Sequence, residues 1–293
     1  MTTTSQVLDF YRRQSGMSDP GAHAARLAAL PEDLPELATG LQGLILHEHW
    51  SGAYGQVLGD ERRGEVHLRD VPAMIDRMLA HDARPLSEAR PLDTRLIGNC
   101  RDYTLFTVAA LRARDVPARS RCGFGAYFDP RQKVDHWVAE YWDDARGRWI
   151  MADAQIDAFQ AERIHPDFDL LDVPPDRFIV AGAAWRACRA GQADPNTFGI
   201  MDMTGWWFLA GNLVRDAAAL AGREMLPWDC WGAMPGPGDA IGEARLAWFD
   251  RLAELTADPD ANLDTLIALN RDDERQAVPP VVFNAVRQRP ETV

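Results

Sequence analysis

Lysine is almost absent from this chain: Lys133 is the one lysine among 31 basic residues, and the arginines are scattered among 44 acids. No basic stripe with interleaved aromatics occurs and the formal charge is −13, so nucleic acid is excluded as a partner. Continuous apolar runs of membrane-spanning length are also missing. The start, Met1-Thr2-Thr3-Thr4-Ser5-Gln6, has no basic stretch followed by an apolar segment. Neither a signal peptide nor a membrane helix is expected, no membrane partner, and a cytoplasmic location follows. Four cysteines, Cys100, Cys122, Cys188 and Cys230, stand far apart with no Cys-x-x-Cys pair. Reduced thiols are expected in that compartment, not a disulfide framework. Internal repeats and low-complexity linkers are lacking too.

What is present is enough apolar material for a sizeable core: 293 residues, 46% hydrophobic, with ten tryptophans. The absence of a firm boundary predicts a single domain over 1–293, with a core at about 90–160 wrapped by helical segments 1–90 and 175–275. Apolar residues at Leu37, Leu41, Leu44, Ile45 and Trp50 predict a helix over 37–50, and another is expected over 71–80. Pro85 and Pro91 mark 81–98 as a loop. Tyr103, Phe106, Thr107, Ala110 and Leu111 recur at three and four, predicting a core-facing helix from Cys100 to about Arg114 that Val116-Pro117 ends. Strands are expected over 118–128, 136–142 and 148–152, the last two as a hairpin across Asp143–Gly147. Helices are expected again over 176–190, 205–221, 241–255 and 263–270, and a poorly ordered tail from Pro279. A helix followed by an antiparallel meander is an α+β arrangement.

Cys100 opens its predicted helix, His136 begins one strand and Asp153 follows the next. A thiol at a helix start, an imidazole to activate it and a carboxylate to orient the imidazole are the parts of a cysteine-nucleophile acyl-transfer site. The partial positive charge of a helix N-terminus favours a thiolate there, and free amides of that turn can donate to an oxyanion. Across a hairpin, the start of one strand lies beside the end of its partner, which sets His136 near Asp153. Asp157 is a rival carboxylate four residues on.

Gly98-Asn99-Cys100-Arg101-Asp102-Tyr103, followed by Leu111-Arg112-Ala113-Arg114-Asp115-Val116-Pro117-Ala118-Arg119, resembles the transglutaminase-like superfamily. Asp115 stands where that family usually has glycine. The family's histidine motif is matched by Asp135-His136-Trp137-Val138-Ala139-Glu140-Tyr141-Trp142, and its aspartate motif by Arg148-Trp149-Ile150-Met151-Ala152-Asp153-Ala154. The resemblance implies a papain-like, transglutaminase-like α+β core, a Cys-bearing helix packed on an antiparallel sheet, with extra N- and C-terminal helices. It also implies a Cys100-His136-Asp153 triad. Leu41–His47, Ala181–Trp185 and Gly211–Asp216 are similar to a group of bacterial transglutaminase-like proteins. Calcium sites of the large animal enzymes have no counterpart, so no metal and no cofactor are expected.

Around that triad, Gln42 and Gln155 are candidate oxyanion donors and His47 a candidate polar accessory group. In His47-Glu48-His49 a helical reading turns the two rings apart and offers no third metal ligand. Trp206 and Trp207, with Trp228 and Trp231, are candidate walls of a substrate channel. Arg215 is a candidate clamp for a substrate carboxylate, with Asn212 and Asp216 close along its helix. Cys122, Cys188 and Cys230 read as packed thiols. The expected reaction is transfer of an acyl group from a small-molecule, peptide or protein donor through a Cys100 thioester to an amine acceptor. Amide hydrolysis by the same triad is the alternative, and a catalytically silent binding module the third reading.

Overall fold

A computed structural model describes residues 3–293; Met1 and Thr2 of the N-terminal stretch lie outside the described residues. In chain order the regular elements are α1 (Thr4–Arg12), α2 (Ala24–Ala28), α3 (Leu34–Gln42), β1 (Ile45–His47), α4 (Asp60–Arg63), α5 (Val71–His81), β2 (Leu96–Gly98), α6 (Cys100–Arg112), β3 (Ala118–Gly125), β4 (Lys133–Asp143), β5 (Arg148–Ala152) and α7 (Ala158–Ile164). They continue as β6 (Phe178–Val180), α8 (Ala181–Arg189), β7 (Phe198–Ile200), β8 (Met203–Thr204), α9 (Trp206–Leu220), β9 (Asp229–Cys230), α10 (Glu243–Ala257), α11 (Leu263–Asp272), β10 (Val281–Asn284) and β11 (Arg289–Thr292). The fold is α+β. No helix among the described residues is long and apolar enough to cross a membrane.

The largest sheet has the order β6-β3-β4-β7-β8, with β5 paired to β4. Its β3–β6, β4–β5 and β7–β8 pairs are antiparallel, as expected, but β4 and β7 run parallel. The described residues divide into two compact units, one of residues 8–120 and 138–173, the other of 3–7, 121–137 and 174–293. Strands β3 and β4 carry residues of both.

In the first unit, α6 is buried along all 13 residues and packs against α2, α3 and α5. Burial of every side means its polar side chains need internal partners. Arg112 donates to the carbonyls of Tyr11 (3.2 Å) and Ala118 (2.9 Å), and Tyr103 donates its hydroxyl to the Ile45 carbonyl at 2.7 Å. Beside the β4–β5 hairpin, Arg119 pairs with Glu140 at 2.5 Å and lies 3.9 Å above the Trp149 ring.

In the second unit, α9 is the central helix, packed by α8, α10 and α11. Asp216 within it accepts from the Arg121 guanidinium at 2.9 and 3.0 Å and from the Cys122 amide at 2.9 Å, which ties the helix to β3. Gly182 lets α8 approach α10: a Cβ there would meet the Thr256 hydroxyl at 2.2 Å.

Two expectations are corrected. The helix expected over 37–50 ends at Gln42, and its second half is β1 plus a short 3₁₀ turn. Gly43 has no room for a side chain, a Cβ falling 2.8 Å from Ala89, and the chain turns there into a strand buried on both faces. The tail from Pro279 is a hairpin, β10 with β11, whose alternation buries Val282 and Asn284.

Asp115 adopts φ 62°, the left-handed conformation a glycine would take, and donates its amide to Arg112 at 3.1 Å. Aspartate tolerates this region better than most residues, but a Cβ is still strained there. Asp115→Ala is expected to lose about 1 kcal/mol, whereas Asp115→Gly should be neutral or stabilising. Urea denaturation of the three proteins side by side checks this.

Candidate active site

The segment bearing Cys100 is fixed from three directions. Strand β1 pairs in parallel with β2, His47 opposite Gly98. The Ile97 amide donates to the buried carboxylate of Glu65 at 2.9 Å, and that carboxylate also holds His81 at 2.6 Å. Gly98 admits no side chain: a Cβ would lie 2.9 Å from Oδ2 of Asp102 and 2.9 Å from Cγ2 of Ile45.

Asn99 then caps α6. Its side-chain oxygen accepts from the Arg101 amide at 3.0 Å, and Asp102 reaches back to accept from the Asn99 amide at 3.0 Å. This reciprocal capping box satisfies helix-end amides that water cannot reach. An Asn followed three residues later by an Asp is the sequence signal of this cap. Cys100, the first residue of the helix, is 6% exposed.

Asp153 follows β5 in the same unit and is buried. Its amide donates to the Leu170 carbonyl at 2.7 Å and its carboxylate accepts from the Gln155 amide at 3.1 Å. Gln42 belongs to this segment: its amide nitrogen donates to the Ala154 and Ile156 carbonyls at 3.1 and 3.2 Å. Gln155, also buried, donates to Gln160 at 3.3 Å; Gln160 in turn donates to the Tyr54 hydroxyl at 3.3 Å, which donates to Asp157 at 2.6 Å. Because a carboxylate only accepts, Asp157 fixes the direction of this whole chain. Asp157 is thus committed to Tyr54 and to capping α7 through the Gln160 amide at 2.9 Å.

His47, at the end of β1, is buried, and its Nδ1 accepts from the His49 amide at 3.2 Å. The two rings lie 5.5 Å apart, so the helical reading that turned them away from each other is wrong: the pair sits where a strand enters a 3₁₀ turn.

His136 lies on β4 in the other unit. It is 2% exposed, with ring centroids of Phe128, Tyr127 and Phe178 at 4.8, 6.1 and 6.2 Å. The preceding Asp135 accepts from Asn212 at 2.7 Å, and burial raises its pKa. Arg215 donates to Asn212 at 3.1 Å and to the Asp229 carbonyl at 3.0 Å. Trp206 stacks edge-on against Trp185 at 5.0 Å and Trp207 against Phe208 at 5.3 Å; both are half-buried. A surface groove of about 690 Å³ along α10 and α11 is lined by Arg251, Leu269 and Arg275 and contains none of these residues.

Residues 80–154 match the model of the transglutaminase-like superfamily. The match covers about a quarter of the chain. No curated protein sequence matches this chain. A solved structure named "a Putative Cysteine Protease from Cytophaga hutchinsonii" is similar at 19% identity with a TM-score of 0.21, over 49% of this chain and 41% of that one. The alignment therefore spans under half the length of that protein. Cys100, His136 and Asp153 all fall inside the matched span, and the match supports a cysteine-dependent enzyme.

Two carboxyls beside the start of α6 are electrostatically unusual. Burial raises Asp102 to about 6. Glu48, just after β1, is raised to about 7 by burial and then by Asp102. A carboxyl whose pKa is higher in the fold than in the unfolded chain holds its proton longer when folded. Its contribution is complete at low pH and is lost as pH rises to the folded value. For Glu48 that window runs from 4.5 to about 7. Glu48→Gln has no proton to lose. Denaturation midpoints of wild type and variant should be close near pH 4.5 and separate by pH 8, with the variant the more stable.

Proposed function

We propose that this protein transfers an acyl group from an amide or thioester to an amine through a thioester on Cys100, with His136 and Asp153 as its partners. The match of residues 80–154 to the transglutaminase-like superfamily carries this reading, because the matched span contains Cys, His and Asp in the order the chemistry needs. The capped start of α6 supports it: a helix N-terminus favours negative charge on its first side chain.

The steps balance as follows. The Cys100 thiolate attacks the donor carbonyl, forming C–S and a tetrahedral oxyanion. That intermediate collapses with loss of the leaving amine or thiol, which takes a proton from the His136 imidazolium. An acceptor amine then attacks the thioester and gives its proton to the imidazole. The C–S bond breaks, a new C–N bond remains and the thiolate returns. The role proposed for Asp153 is that of the carboxylate that selects the productive imidazole tautomer.

Water in place of the amine turns the same cycle into hydrolysis. The aromatic rings packed around His136 favour the amine, because an apolar surrounding admits little water to the base. Incubation with candidate acyl donors and intact-mass analysis tests the proposal. Wild type should gain one acyl group that added amine removes, and Cys100→Ala should gain none. Asp153→Asn should lower kcat by roughly two to four orders of magnitude with a much smaller change in KM. Wild-type turnover in Cys100→Ala would end the covalent mechanism.

A further inference from the structure

Nδ2 of Asn99 is a donor that the fold leaves unused. It is buried and has no hydrogen-bond partner among the described residues, and Asn99 as a whole is 3% exposed. Its identity as nitrogen is settled by the opposite arm of the carboxamide, because Oδ1 accepts from the Arg101 amide at 3.0 Å. That bond joins residues 99 and 101 and carries the carboxamide across Cys100, the residue between them. The cap itself needs only the oxygen. Aspartate and serine cap as well as asparagine and would leave no amide nitrogen orphaned in the interior. A buried N–H without a partner is costly, and capping gives no reason to bear that cost.

Several donors expected to stabilise an oxyanion are committed elsewhere. The Asn99 amide donates to Asp102 at 3.0 Å, the Arg101 amide to Oδ1 of Asn99, and the Asp102 amide to the Asn99 carbonyl at 3.0 Å. Gln42 divides its Nε2 between the Ala154 and Ile156 carbonyls. Gln155 donates from Nε2 to Gln160, and its unpartnered atom is Oε1, an acceptor that would repel negative charge. Nδ2 of Asn99, by contrast, lies at the positive end of a 13-residue helix and one residue before the nucleophile.

We propose that Asn99 is a catalytic residue, with Nδ2 the oxyanion donor of the acyl-transfer site. As the Cys100 sulfur bonds to the acyl carbon, a carbonyl electron pair moves onto oxygen, and Nδ2 donates a hydrogen bond to it. No proton changes hands at Asn99. On collapse the pair returns to the carbonyl, and the bond to the leaving group breaks with its electrons going to that group. The hydrogen bond strengthens as the charge develops, so it lowers the barrier more than it binds the ground state. The inference deepens the acyl-transfer reading and rests on Cys100 being the acyl carrier.

Two reagents separate this role from capping. p-Nitrophenyl acetate acylates a thiolate through a tetrahedral oxyanion, whereas iodoacetamide alkylates the same sulfur by displacing iodide and forms none. Asn99→Ser keeps an oxygen for the Arg101 amide and removes the nitrogen. Its acylation rate, read as p-nitrophenolate release above a Cys100→Ala background, should fall about a hundredfold or more. Its rate of alkylation at Cys100, read by mass, should stay within about twofold of wild type, with the pH profile unmoved. Asn99→Asp, a cap of nearly the same shape, adds a charge that raises the thiol pKa. Compared at equal thiolate fraction, its acylation should be down by a similar factor. Acylation that is unchanged in the variants, or that falls only in step with alkylation, overturns the role of Asn99. A wild type that is alkylated at Cys100 but never acylated overturns instead the acyl-transfer reading.

Discussion

A helix buried along its whole length cannot leave its first amides to water, and the arrangement around Cys100 depends on that constraint. The start of α6 is closed by Asn99 and Asp102, each accepting an amide hydrogen bond at 3.0 Å. Losing such a cap typically costs about 1 kcal/mol, and more where the freed amide is sealed from solvent. The cap in turn dictates its neighbours. Asp102 lies so close over Gly98 that no other residue fits at that position, and Gly98 is the residue that pairs with His47. The cap, the glycine and the parallel ladder form one unit of packing, and Cys100 is set by all three. The same constraint explains the buried Arg101, whose guanidinium reaches Asp102 and the Arg69 carbonyl at 3.2 and 2.5 Å.

The parts of this unit were unequally readable in the sequence. α6 itself was plain, because apolar residues at three and four spacing and a following Val-Pro leave one interpretation. The β4–β5 hairpin was equally plain from its alternation and acidic turn. Asp115 was recognisable as a substitute for glycine, and its φ of 62° is the reason glycine is favoured there. β1 was unreadable for a physical reason. It is buried on both faces, so Leu44, Ile45 and Leu46 show no period of two, and a short apolar run cannot be told from the face of a helix. The last hairpin was hidden by its own exposure: Val281 and Phe283 point to solvent, and two prolines precede them.

Single residues of the candidate site divide along the same line. Cys100, His136 and Asp153 stand out because the chemistry needs their types in that order. The roles of Gln42 and Gln155 were less readable, since an amide side chain is equally suited to a substrate or a backbone. Gln42 in fact clamps the carbonyls after Asp153.

Charge around the start of α6 bears on the fate of the proposed thioester. Breaking the C–S bond leaves a negative sulfur at Cys100, and the helix end stabilises it. Asp102 has its oxygens engaged by the Asn99 amide and Arg101, so its opposition to that charge is muted. The helix start therefore assists departure of the thiolate whichever nucleophile, amine or water, attacks the carbonyl, and the cap that closes the helix also tempers the charge nearest the sulfur.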